Sequence, residues 1–260
     1  MAIKKTEAFV LKAFNWSESS RTISFFTRDR GKLPLTDRGG RSIKSKRGRA
    51  LPFAHLAITY YDSERASAGH LSDVSVVSAW TFEGESVLGR LAFASAACEL
   101  LWQTLPDEES HPEIFHYTLD YFSRLDSCPR ESLPGLFLSY FIRTLSFLGY
   151  RPVLTGCVGC GKGVREFGMA TARFSADRGG LLCGACQVSG ERYIALSETE
   201  LALSIQLQAG SLAEAAKTQI GFAEMNRIAQ ALIQFLGSQT GMLKMKSLEF
   251  LDKLKVADFG

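Results

Sequence analysis

No apolar run in this chain approaches the roughly 18 residues that a membrane-spanning helix needs; Ser132 to Ile142 is among the longest uncharged stretches. Lys4, Lys5, Glu7 and Lys12 fall where a secretory signal would need an apolar core. Histidine is scarce: His55, His70, His111 and His116 are scattered and join no cysteine or serine motif. There is no Gly-x-x-x-x-Gly-Lys-Ser/Thr phosphate loop, and no Gly-x-Gly-x-x-Gly follows a strand. The carboxylates are spread through helical segments instead of clustered for Mg²⁺, and Glu108 and Glu109 read as a solvated turn. These absences predict a soluble, cytoplasmic chain with no catalytic residues.

What is present is ordinary globular composition: 260 residues, 46% hydrophobic, 22% charged and 11% aromatic, enough for two or three compact units. The net charge of +3 conceals an asymmetry. Residues 1–80 hold 14 Lys/Arg against 7 Asp/Glu, whereas residues 81–260 hold 16 against 20. Between Arg28 and Arg49 nine basic residues face only Asp29 and Asp37. Such a local excess predicts an anionic partner for the N-terminal part alone.

Residues 1–80 alternate with the period of two that strands require. Phe9, Leu11 and Ala13 alternate with Val10 and Lys12; Ile23, Phe25 and Thr27 with Ser24, Phe26 and Arg28; and Leu56, Ile58 and Tyr60 with Ala57, Thr59 and Tyr61. With Leu33/Leu35 after a turn at Asp29-Arg30-Gly31-Lys32, and Val74–Val77, this makes five short strands and predicts a small barrel. Pro34 interrupts the third strand and predicts an edge or a bulge there. Beyond Trp80 the period becomes 3.6. Apolar faces over 87–105, 114–125 and 136–148 predict three helices, the last closed by Gly149. Ser197 with Glu200 is a capping box opening another helix, and two more follow around 228–236 and 243–254.

Without a secretory signal the six cysteines are not expected to form a disulfide framework, because a reducing cytosol keeps thiols apart. Four form two C-x-x-C pairs, Cys157/Cys160 and Cys183/Cys186, with 22 residues between them. Two such turns can complete a tetrahedral thiolate site with no open position, so the spacing predicts one structural Zn²⁺; an iron–sulfur cluster is the alternative occupant. Phe167, Met169 and Phe174, with the turn at Asp177-Arg178-Gly179-Gly180, predict a hairpin between the pairs, as in a zinc ribbon. Lys162, Arg165 and Arg178 are placed to offset the site's negative charge. Cys98 reads as a core residue and Cys128 as an incidental loop thiol.

A basic barrel with aromatic neighbours suits single-stranded nucleic acid, because cations neutralise phosphates while rings stack on bases. The candidate phosphate contacts are Arg21, Arg28, Arg30, Lys32, Arg38, Arg41, Lys44, Lys46, Arg47 and Arg49. Trp16, Phe26 and Tyr61 are the candidate rings. The competing reading is a protein-interaction scaffold with a zinc module, whose basic loop contacts an acidic protein partner. A metal-dependent enzyme is disfavoured by the closed ligand set.

The order of motifs resembles the RecO family of recombination mediators. Glu18-Ser19, Thr27-Arg28-Asp29-Arg30-Gly31-Lys32, a Gly39/Arg41 basic loop and Leu51-Pro52-Phe53 match its N-terminal barrel. Arg143 to Pro152 leading into Cys157-Val158-Gly159-Cys160-Gly161, and Leu243 to Ser247, match its later parts. The resemblance implies an α+β multidomain chain. An N-terminal OB-fold β-barrel, the DNA-binding domain (1–80), precedes an α-helical domain in two parts (81–152 and 193–260), interrupted by an inserted four-cysteine, zinc-ribbon-like module (153–192). It further implies binding of single- and double-stranded DNA, strand annealing, and action with RecR. Together the two would load RecA onto strands coated by the single-stranded-DNA-binding protein, in RecF-pathway repair at the nucleoid. The DNA-contacting role then falls on the basic residues named above, and zinc on the four paired cysteines.

Overall fold

A computed structural model describes residues 2–15, 17–18, 20–40, 49–62, 69–84, 86–241 and 244–258. The chain divides into two compact units, Met1–Glu83 with Ala94–Asp126, and Gly84–Phe93 with Ser127–Gly260.

In the first unit, β1 (Ile3–Asn15), β2 (Arg21–Thr27), β3 (Gly31–Asp37), β4 (Ala54–Tyr61) and β5 (Gly69–Ala79) close a barrel in the order β1-β2-β3-β5-β4. This is the expected five-stranded OB-like barrel. Its interior is lined by one face of each strand, with Ile23, Phe25, Leu33, Leu35, Leu56, Ile58 and Tyr60 among the buried residues. The parallel closure is short, since β3 meets β5 only at Leu35↔Gly69 and Thr36↔His70. Pro34 pairs with Ser24 on β2, and its missing N–H costs nothing on the side where β3 has no long ladder.

One expectation fails on β1. The alternation read from Phe9 to Ala13 groups Phe9, Leu11 and Ala13 on one face and Val10 with Lys12 on the other. Instead the β1–β2 register slips between Val10 and Lys12, leaving Leu11 as a bulge. One extra residue inverts the parity of all that follow. Phe9 pairs with Phe26 on the outer face, Val10 with Phe25 on the inner, and then Lys12 with Ser24 and Phe14 with Thr22, outer again.

Helices α1 (Val87–Thr104) and α2 (Pro112–Ser127) follow. The α2 stripe of Ile114, Phe115, Thr118, Tyr121, Phe122 and Leu125 is buried, as its period predicts. Its rings meet the outer face of the barrel, with Phe9 4.9 Å from Phe115 and Phe26 5.5 Å from it. Residues 94–126, which the sequence assigns to the helical part, therefore share a core with the barrel.

The second unit holds α3 (Leu133–Phe147) and an insert of β6 (Val153–Cys157), α4 (Val164–Phe167), β7 (Arg173–Ser175) and β8 (Gly180–Leu182). After it come α5 (Glu198–Ala209), α6 (Leu212–Ala215), α7 (Phe222–Thr240) and α8 (Lys246–Asp258). Gly149 ends α3 at φ +85°, as expected, and the Tyr150 N–H caps the Leu145 carbonyl at 2.8 Å. The Ser197/Glu200 box forms with both bonds, at 2.8 and 3.2 Å. A second box at Ser211/Glu214 opens α6, a helix too short for periodicity to reveal. Among the described residues no helix is long and apolar enough to cross a membrane.

Candidate functional site

The insert brings the two cysteine pairs together. β6 delivers Cys157, the turn after it Cys160, the residue after β8 Cys183, and a 3₁₀ turn Cys186. The expected hairpin forms as β7 and β8, joined through the Asp177–Gly180 turn, with Phe174 on β7; Phe167 instead ends α4 and Met169 opens a 3₁₀ turn, and β6 pairs in parallel with β8. All four Sγ atoms lie within 4.8 Å of one another, and Cys160 Sγ is 3.8 Å from Cys183 Sγ. Thiolates bonded about 2.3 Å from one zinc are about 3.8 Å apart along a tetrahedral edge, so the cluster fits the ion. A disulfide would need about 2.0 Å, and all six cysteines are free thiols.

The backbone organises the sulfurs. Burial pushes the Cys157 thiol up, but N–H groups of Cys183, Cys160 and Gly159 outweigh it and bring the thiol down to about 6. The Cys183 N–H stands 3.3 Å from Cys157 Sγ. Hydrogen bonds with Cys183, Cys160 and Cys157, together with burial, hold Cys186 up at about 12. A divalent cation bound by all four sulfurs would displace their protons. Gly161 takes φ +76° in the first knuckle, as its position predicts. The second knuckle has Gln187 instead of glycine after its last cysteine, and the Gln187 amide donates to the Thr171 carbonyl at 2.9 Å. Gly159 is tight for another reason: a Cβ there would lie 3.0 Å from Cys186 Cβ and 3.1 Å from its Sγ. Arg178, expected to offset the charge of the site, pairs with Glu191 at 2.6 Å.

Cys98 is a core residue, its thiol pushed up to about 12 by burial. Cys128 lies in the bend after α2, as expected of a loop thiol, but it is buried, and its carbonyl accepts from Arg90 at 2.8 Å.

The basic candidates separate into two groups. Arg21 pairs with the buried Asp37 at 3.0 Å. Arg28 reaches Glu7 at 2.7 Å and Asp29 at 3.2 Å, while the other Glu7 oxygen meets His55 Nε2 at 2.9 Å. Arg30 bridges Asp62, at 2.7 Å, and Glu108. Lys32 pairs with Asp107 at 3.2 Å and donates to the Trp102 carbonyl at 3.2 Å. A phosphate at any of these four must therefore compete with a carboxylate already in place. Hydrogen bonding from Lys4, with the charge of Arg30, holds the Asp62 carboxyl below its ordinary range. The turn Thr27–Lys32 that carries the strongest barrel motif thus has an architectural task. Thr27 Oγ1 accepts from the Arg30 N–H at 3.2 Å and donates to the Gly31 carbonyl at 2.9 Å, and the Glu108 N–H donates to the Lys32 carbonyl at 3.0 Å.

The second group lies at and beyond the end of β3. Arg38 and Arg49 are exposed, and Arg41, Lys44, Lys46 and Arg47 fall outside the described residues. Of the candidate rings, Phe26 is fully buried against Phe115 and is closed to a base. Tyr61 is 36% exposed, and Trp16 lies outside the described residues. Phe14, which is not among the candidate rings, is 43% exposed.

Comparison with known proteins agrees with this architecture. Residues 1–80 match the family described as recombination protein O N terminal, and residues 85–249 the one described as recombination protein O C terminal. A curated protein named DNA repair protein RecO, from Anaeromyxobacter dehalogenans strain 2CP-C, is 32% identical over 252 residues, covering 96% of both chains. Another of that name from Symbiobacterium thermophilum is 29% identical over 99% of this chain and 100% of its own. A third, from Myxococcus xanthus, is 29% identical over 94% of this chain.

Proposed function

Since the chain belongs to the RecO family of DNA repair proteins, we propose that it is a non-enzymatic, DNA-binding recombination mediator acting in the cytoplasm at the nucleoid. Its barrel binds single- and double-stranded DNA and anneals complementary strands. With RecR it helps RecA load onto strands coated by the single-stranded-DNA-binding protein. The observation that carries the reading is the clustering of basic residues in the sequence. Between Arg38 and Arg49 six basic residues face no acidic residue at all. Arg38, Arg41, Lys44, Lys46, Arg47 and Arg49 are the principal phosphate contacts, and Arg21, Arg28, Arg30 and Lys32 contribute chiefly to the field around them.

The mechanism is charge neutralisation. Two phosphate backbones repel one another, and a cationic loop removes much of that repulsion while leaving base edges free to pair. The four cysteines hold one Zn²⁺ whose part is structural. The insert is too short to fold on a hydrophobic core of its own, and four thiolates leave no site for water or substrate.

If about six side chains meet phosphates, log K for a single-stranded oligonucleotide falls with log salt at a slope of roughly −5. Replacing Lys44, Lys46, Arg47 and Arg49 by alanine should abolish most of that slope and the annealing activity with it. A slope near zero in the unmodified protein overturns the assignment.

A further inference from the structure

Beyond the basic loop, the first unit presents one exposed group whose chemistry the proposed function has not used. After the bulge, β1 runs Lys12-Ala13-Phe14-Asn15 with all four residues exposed. Lys12 and Phe14 share the outer face, two residues apart on one strand. Beside them α1 places Trp102, half-buried, with its ring centroid 6.1 Å from that of Phe14 at 52°. The Lys12 ammonium sits 3.6 Å over the Trp102 ring and 5.0 Å from the Phe14 centroid. Among the described residues Lys12 has no carboxylate within ion-pair distance, in contrast to Arg21, Arg28, Arg30 and Lys32. Trp102 is itself held in place, because its carbonyl accepts from Lys32.

An exposed ring beside an ammonium that rings, not carboxylates, hold in position is a specific combination. The register slip after Val10 turns Phe14 to the outer face, where its ring is exposed and not buried in the barrel. An apolar helix docking here would bury the ammonium without a partner, and an acidic peptide would use the ammonium but not the ring. A nucleotide uses both, since its base has a flat π face and its phosphate is an anion.

We propose that Phe14, backed by Trp102 and flanked by Lys12, is a stacking platform for one base of single-stranded DNA, with Lys12 meeting the adjacent phosphate. The platform rests on the DNA-binding reading and deepens it. It lies on the outer face of β1 and α1, apart in sequence from the basic loop. It favours an unpaired base, because in a duplex that π face is covered by its neighbour.

The test measures binding of the full chain to a dT oligonucleotide and to the same oligonucleotide with abasic positions, at several salt concentrations. The unmodified protein should prefer the base-bearing strand about tenfold. Phe14→Ala should lose that preference and leave the salt slope unchanged, whereas Phe14→Tyr should keep it. Lys12→Ala should lower the slope by about 1. Phe14 is exposed, so its alanine variant should melt like the parent, and melting curves check this. Equal affinity of Phe14→Ala and the parent for dT overturns the platform while leaving the basic-loop reading intact. So does a Phe14→Ala variant that loses self-association but not DNA. Failure of the parent to bind either strand overturns the proposed function itself.

Discussion

A Cβ placed on Gly31 would lie 1.7 Å from the carbonyl oxygen of Glu109. The β2–β3 turn and the segment before α2 are pressed backbone against backbone, and Gly31 adopts φ +62° to allow it. Both conditions exclude any side chain. Gly31→Ala should therefore destabilise the first unit by roughly 2–4 kcal/mol, combining left-handed strain with an overpacked contact. Urea unfolding followed by tryptophan fluorescence measures it, and a loss below about 1 kcal/mol would show that the turn can move away from Glu109.

Arg30 and Arg49 should behave differently although the sequence offers both as phosphate contacts. Arg30 bridges Asp62 and Glu108 within one unit, and Arg49 is exposed beside the basic loop. Arg49→Ala should lower the salt slope of DNA binding by about 1 and leave melting unchanged. Arg30→Ala should lower the melting temperature and change the slope by much less. Titrations of both variants in parallel decide the order, and an equal loss of slope would place Arg30 on the DNA.

Metal content should be one zinc per chain, measured on protein purified without added metal. Cys160→Ser or Cys183→Ser should lose it, and with it the protection of 153–192 from proteolysis, because the metal carries the folding free energy of the insert. Gly159→Ala should weaken zinc retention less severely, by crowding Cys186. Annealing by the intact chain should persist in EDTA, as expected for a structural ion; its complete loss with the insert still folded would assign the metal a direct role.

The capping box of α5 makes a pH-dependent contribution. Burial pushes the Glu200 carboxyl up, but the Ser197 N–H, Arg227 and the Ser197 hydroxyl outweigh it and hold it below its ordinary value of 4.5. A carboxyl whose folded value is depressed stabilises above its unfolded value, and that contribution is lost as pH falls through the folded one. Glu200→Gln should therefore cost about 1 kcal/mol at pH 7, and the difference from the parent should shrink as pH falls below the ordinary value of 4.5. Melting curves at pH 7 and pH 3.5 give the comparison; an equal gap at both would place the effect in packing.

The barrel strands, the major helices and the cysteine module were legible because each depends on residues close in sequence. The 3.6 period of α2 marked its buried face, and the two C-x-x-C turns marked the metal cluster, since each turn fixes the bite of its own pair. The helix α6 was not legible, because four residues carry no period. Nor was the exposure of Phe14, since a single bulge at Leu11 reverses every later assignment on β1.

Composition determined that the N-terminal part would be cationic, and spacing determined that four thiols would meet. Which cations remain available to an anionic partner was decided by the tertiary structure. Arg30 and Glu108 stand 78 residues apart, and Lys12 meets Trp102 only because α1 passes the outer face of β1. Charge is a property of the residue, but its neutralisation is a property of distance, and distances between remote residues exist only once the chain has folded.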